Sequence, residues 1–154
     1  MARKSPEIRI FLDSNVIISG LLSDKGAPRI ILDLLCLNLP NLRGLTGRYN
    51  LIEVERNLQR KLPLALPVFQ NYFPRLNLEI VPLPAPVELE PWAGVTAEKD
   101  IPVIVSAING KADFLITGDH KDFGGLKSDK KIPCKIVTPT EFVNLVGGLL
   151  GGVV

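Results

Sequence analysis

Two apolar runs in this chain stop at a carboxylate. Ile10-Phe11-Leu12 gives way to Asp13-Ser14-Asn15 before an apolar helical pattern resumes, and Phe114-Leu115-Ile116 gives way to Thr117-Gly118-Asp119. Strands inside a parallel sheet are dry along their length, and their C-terminal ends open onto a crevice. A carboxylate is readily hydrated at that edge and costly to bury one residue earlier. Were these two strands adjacent, Asp13 and Asp119 would face each other where the strand order reverses. Asp100 and one of Glu53 or Glu55 complete a candidate set of four acids. Two carboxylates about 4 Å apart repel by roughly 1 kcal/mol in water and roughly 4 kcal/mol at an effective dielectric of about 20. Four together call for a cation. Mg²⁺ or Mn²⁺ suits an all-oxygen set, and no Cys/His cluster offers a zinc site. An ion so held acidifies its water and stabilises in-line displacement at phosphorus.

The same residues have plainer uses. Asp13 and Asp100 both suit a helix N-cap, and Asp119 in Thr-Gly-Asp suits a tight turn. Glu53 and Glu55 point to different sides of one helix, and the apolar stripe centred near Leu51 favours Glu55 as the half-buried one. Lys25, Arg29, Lys121 and Lys99 could meet a phosphate backbone at the cleft rim, or be solvated surface. His120 follows the second acid directly, but metal chemistry needs no His, and Asp122 beyond it is a candidate extra acid. Trp92, Tyr49 and Tyr72 could stack on bases, although packing is the commoner use of such residues.

The elements that must position these groups alternate along the chain. Strands are expected at 8–12, 42–46, 78–83, 113–117 and 134–138. A short helix or turn is expected at 14–22 and helices at 26–38, 47–62, 65–74, 100–109 and 139–146, with Pro40, Pro63 and Pro74 as stops and Gly110 as a C-cap. Pro82, Pro84, Pro86 and Pro91 predict an extended surface loop. Residues 124–131 read as a basic loop, and 147–154 as a flexible apolar tail suited to a partner protomer or to loose packing. Such alternation predicts a three-layer α/β/α domain around a parallel sheet, as a single domain over 1–154.

Composition agrees. At 154 residues, with 46 % hydrophobic and 22 % charged residues, the chain is of ordinary globular type. A net charge of +2 neither demands nor excludes nucleic acid. No apolar run is long enough to span a bilayer, and no signal-peptide core follows the basic N-terminal residues. Cys36 and Cys134 lack metal-type spacing and read as thiols of a reducing compartment, so a cytoplasmic location without membrane contact is expected.

Taken in order, several segments resemble a PIN domain. They are Phe11-Leu12-Asp13-Ser14-Asn15-Val16 with Ser19 beyond, and Tyr49-Asn50-Leu51-Ile52-Glu53-Val54-Glu55-Arg56-Asn57-Leu58. Lys99-Asp100-Ile101-Pro102-Val103-Ile104 with Ala107, Ala112–Asp119, and the closing Ile136-Val137-Thr138-Pro139-Thr140-Glu141-Phe142 complete the set. The resemblance spans nearly the whole chain. It implies a PIN-like sheet of five parallel strands ordered 3-2-1-4-5. It also implies a metal-dependent endoribonuclease hydrolysing RNA, of the kind that serves as the toxin of a toxin–antitoxin pair. By position, it implies Asp13, Glu53, Asp100 and Asp119 as the catalytic acids, with Asp13, Asp100 and Asp119 holding Mg²⁺ or Mn²⁺. It thereby places the helix acid on Glu53, against the periodicity. Asn15, Lys25, Arg29, Thr117 and Lys121 are the expected substrate contacts, and an antitoxin protein and a homodimer are the implied partners. The extended 82–91 stretch departs from the short segment usual in such toxins.

Three other readings compete. A PIN-like scaffold could bind RNA or protein without cutting, although every acid is present in the sequence. A phosphatase with an Asp nucleophile usually has a second Asp two residues on, where Asn15 stands here. A dinucleotide-binding fold needs a Gly-rich turn after the first strand, and Asp13-Ser14-Asn15-Val16 has none.

Overall fold

The computed structural model describes residues 7–118, 123, 126 and 131–150. Five parallel strands, β1 (Ile8–Leu12), β2 (Leu42–Gly47), β3 (Glu79–Val81), β4 (Phe114–Ile116) and β5 (Lys135–Val137), form one sheet in the order β3-β2-β1-β4-β5. β1 is central, with Ile8 opposite Leu42 on one side and Leu12 opposite Ile116 on the other. The ends of β1 and β4 are therefore neighbours, at the reversal of strand order where α/β sheets bind ligands.

Alternation along each strand divides the core between the two faces. Ile10 and Leu12 of β1 and Ile116 of β4 join one buried cluster. It is built with α1 (Ser14–Leu22), α2 (Ala27–Cys36), α3 (Arg48–Lys61), α4 (Ala65–Tyr72) and α7 (Pro139–Leu150). Phe11, Leu115 and Ile136 point the other way, against Val103, Ile104 and Ala107 of α6 (Ile101–Asn109) and against Phe123 and Leu126. This is the three-layer arrangement expected. Among the described residues no helix is long and apolar enough to cross a membrane.

Several boundaries differ from the sequence reading. The third strand keeps only Glu79–Val81 of 78–83, because Pro82 offers no N–H to extend a ladder. The stretch expected as an extended loop instead folds into α5 (Pro86–Leu89) and a 3-10 turn, Glu90–Trp92. Pro86 and Pro91 each stand in a first helical turn, where a missing N–H costs nothing. Glu88 accepts from Ala85 N at 2.8 Å and from Asn109 Nδ2 at 3.0 Å, so the segment is fastened to α6. The last helix runs on to Leu150, past the Gly147-Gly148 expected to begin a tail. Residues 151–154 and most of the expected basic loop at 124–131 lie outside the described residues.

Gly110 does follow α6, but with an ordinary helical φ of −78°. Its role is close packing, since a Cβ there would stand 2.8 Å from Val81 Cγ2 and 3.0 Å from Leu45 Cδ2. The left-handed residue of the turn is Lys111, at φ 55°. At this N-terminal edge of the sheet Arg9 bonds Gly110 O at 2.7 Å and pairs with Glu79. β1, β3 and the approach to β4 are thus clamped at the end opposite the crevice.

Candidate functional site

Asp13 leaves β1 with extended backbone (φ −70°, ψ 158°) and caps α1, so the change from strand to helix turns its carboxylate inward over the C-terminal edge. The side chain is 6 % exposed and is held from both sides. Oδ1 accepts from Ser14 N at 2.8 Å and Asn50 Nδ2 at 3.1 Å. Oδ2 accepts from Thr117 Oγ1 at 2.8 Å and lies 3.5 Å from Asn15 Nδ2. The capping use and the site use of Asp13 therefore coexist, because each carboxylate oxygen has lone pairs for more than one donor.

Thr117 follows β4 and is buried beside Asp13. Asn15, in the first turn of α1, accepts from Gly118 N at 3.0 Å and so links α1 to the turn after β4. Thr46 Oγ1 donates to Leu12 O at 2.9 Å, tying the ends of β2 and β1. The floor of the crevice is thus a network of side-chain bonds between elements far apart in sequence.

Asp100 is also 6 % exposed. It ends a 3-10 turn, Glu98–Asp100, immediately before α6, and its side chain makes no capping bond there, contrary to its use as an N-cap. Glu53 of α3 is half-buried and Glu55 exposed, the reverse of what the apolar stripe favours. The stripe of Leu51, Val54 and Leu58 marks only the side of α3 that meets the core. Tyr49, Glu53 and Asn57, all half-buried, form a polar flank beside it.

Tyr49 reports how the acids lie. Its hydroxyl donates to Lys99 O at 3.0 Å, one residue before Asp100. Its pKa is raised above 10.0, first by burial and then by the negative charges of Glu53, Asp100 and Asp13, with Arg56 opposing. Carboxylates from α3, from the turn before α6 and from the end of β1 thus act on one phenol. Among the described residues no three His, Cys, Asp or Glu side chains stand close enough to enclose a metal ion. Asp119, with Lys121, His120 and Asp122, lies outside the described residues. Among the described residues the donors at this edge are carboxylate, hydroxyl and amide oxygens, and this chemistry suits a hard divalent cation.

Of the expected rim cations, Lys25 is exposed in the α1–α2 loop, where its backbone bonds Ser23 Oγ. Arg29 turns elsewhere. It bonds Asp33 at 3.1 Å and lies 5.7 Å from the Tyr72 ring centroid, in a groove between α2 and α4. Trp92 packs with Tyr49 against the second core cluster. Asn50 was not among the expected residues. A buried Asn in the first turn of a helix reads as a capping or turn residue, and only its bond to Asp13, 37 positions away, reveals its place.

The profile of the PIN domain family matches residues 9–121, most of the chain, and the protein belongs to this family. Its fold is similar to that of VapBC2 from Rickettsia felis, solved bound to a DNA fragment from their promoter, with TM-score 0.57 and 20 % identity over 84 % of this chain and 97 % of that one. It is similar also to VapBC-1 from nontypeable Haemophilus influenzae, with TM-score 0.61 and 18 % identity over 86 % and 99 %. FitAcB from Neisseria gonorrhoeae gives TM-score 0.60 and 19 % identity over 84 % and 97 %. No curated protein matches the sequence.

Proposed function

We propose that this PIN domain is a divalent-metal-dependent endoribonuclease that hydrolyses RNA phosphodiester bonds, acting in the cytoplasm as the toxin of a toxin–antitoxin pair. One observation carries the reading. Asp13 is buried over the C-terminal edge of β1 with both carboxylate oxygens held by donors from Ser14, Asn50 and Thr117, the support that a metal-binding carboxylate needs. The likeness in fold to VapBC2, VapBC-1 and FitAcB supports the toxin assignment, with an antitoxin protein and a second copy of the chain as partners.

In this reading Asp13, Asp100 and Asp119 hold Mg²⁺ or Mn²⁺. A bound ion of this kind supplies an acidified water and offsets charge developing at phosphorus. Thr117 and Asn15 keep the Asp13 carboxylate in one orientation. Glu53, on the half-buried flank of α3, orients the attacking water. Lys25 and Lys121 are the cations offered to the phosphate backbone, where a cation contributes affinity without sequence preference.

The test is cleavage of labelled RNA under Mg²⁺ and Mn²⁺ titration, with calorimetry of metal uptake. Wild type cuts, chelator stops it, and Asp13→Asn abolishes cutting while remaining folded. The fold survives because Asn caps helices as well as Asp does. The Thr117 hydroxyl can also turn from donor to acceptor opposite the new amide. Cleavage by Asp13→Asn at the wild-type rate refutes the assignment. A wild type that binds RNA but neither takes up metal nor cuts is a non-catalytic binding module.

A further inference from the structure

We infer that Asn50 is a positioning residue for Asp13, and that Gly47 and Ser106 exist in their present form to keep its amide in place. The inference rests on the reading of Asp13 as a metal ligand.

Asn50 is fully buried in the first turn of α3. Its Nδ2 donates in two directions, to Asp13 Oδ1 at 3.1 Å and to Ser14 Oγ at 2.9 Å. Both amide hydrogens are thereby committed, and the orientation is fixed, since a flipped amide would press its oxygen against a carboxylate. Ser14 Oγ in turn faces Asn50 O at 3.4 Å, so α1 and α3 are joined by a small closed set of bonds around Asp13. Asn50 is therefore the contact through which α3 fixes the first carboxylate.

The other end of the amide is unusual. Among the described residues Asn50 Oδ1 is buried with no hydrogen-bond partner, and so is Ser106 Oγ of α6. Both lie beside Gly47, the residue before α3. A Cβ at Gly47 would stand 2.9 Å from Asn50 Oδ1 and 3.1 Å from Ser106 Oγ. The backbone there is extended (φ −93°, ψ 154°), so any residue could adopt it. Gly47 is thus required by space rather than by conformation. It leaves the Asn50 amide and the Ser106 hydroxyl, an acceptor and a donor, packed against bare backbone. A methyl at position 47 can be relieved most easily by displacing the Asn50 side-chain end, the group that holds Asp13.

A polar group that orients a metal ligand typically changes metal affinity about 10- to 100-fold when removed. The experiment is Mn²⁺ binding, read as loss of the free-ion electron paramagnetic resonance signal, by wild type, Asn50→Leu and Gly47→Ala, with thermal unfolding of each alongside. Asn50→Leu keeps side-chain volume and removes the donor, and is expected to weaken Mn²⁺ binding about 10-fold or more. Gly47→Ala removes no polar group from the site, and is expected to weaken binding several-fold. If Asn50→Leu does not fold, Gly47→Ala carries the test alone. Folded variants that bind Mn²⁺ as wild type does overturn this inference and leave the metal reading of Asp13 intact. A wild type without Mn²⁺ uptake overturns both.

Discussion

Replacing Thr117 by Val removes one hydroxyl from the floor of the crevice and nearly preserves its shape. In the folded protein that hydroxyl stands 2.8 Å from Asp13 Oδ2, with both residues buried. A hydrogen bond to a charged group contributes about 1.5–3 kcal/mol. The methyl that replaces it returns about 0.8 kcal/mol by burial. The net loss is then about 1–2 kcal/mol, or about 2–8 °C in Tm for a domain of this size. Urea unfolding without added metal gives the value directly, provided the denaturant slope is unchanged. Thr117→Ser is the companion variant. It keeps the donor and gives up only a methyl, so its loss should be the smaller if the bond to Asp13 dominates. A Thr117→Val protein as stable as wild type, or less damaged than Thr117→Ser, would show that the hydroxyl does not hold the carboxylate as described.

Glu53 and Glu55 separate by activity. Glu53→Gln, on the cleft flank of α3, should lower RNA cleavage by at least about 100-fold, the lower range for a positioned acid–base group, whereas Glu55→Gln on the exposed side stays within about twofold. Equal losses in a gel-based cleavage assay would count against the flank. Alkaline stability reports on Cys134, whose thiol is pushed up from 9.0 to about 11, chiefly by burial. The unfolded chain loses that proton first, so the contribution is complete below pH 9.0 and is lost as pH rises toward about 11. Urea midpoints measured from pH 8 to 11 should therefore fall less steeply in Cys134→Ala than in wild type; parallel slopes would rule this out. Tyr72, raised from 10.0 to about 12 mainly by burial, also lowers stability above pH 10.0, but it is present in both proteins and cancels in the comparison.

Much of the fold was legible in the residues. Apolar runs next to an Asp mark β1 and β4, and the break at Leu12–Asp13 marks the sheet edge, because a dry strand interior and a hydrated carboxylate cannot share one position. The order 3-2-1-4-5 came with the family resemblance rather than with periodicity, and the sheet has it. Local composition misled where proline was taken only as a breaker. Pro86 and Pro91 open helical turns, because the amide hydrogen they lack has no partner in a first turn.

Residue types and spacing alone determined that Asp13 stands at a strand end and Asp100 at a helix start, since both follow from the exclusion of charge from apolar elements. Tertiary structure decided the rest. It chose Glu53 over Glu55 for the half-buried flank, turned Arg29 into another groove, and brought Asn50 and Thr117 onto the two oxygens of Asp13 across 37 and 104 positions. Periodicity records only how each helix divides between core and water. Which polar groups meet above a sheet edge depends on how separate elements pack, and that information lies in no local stretch of the chain.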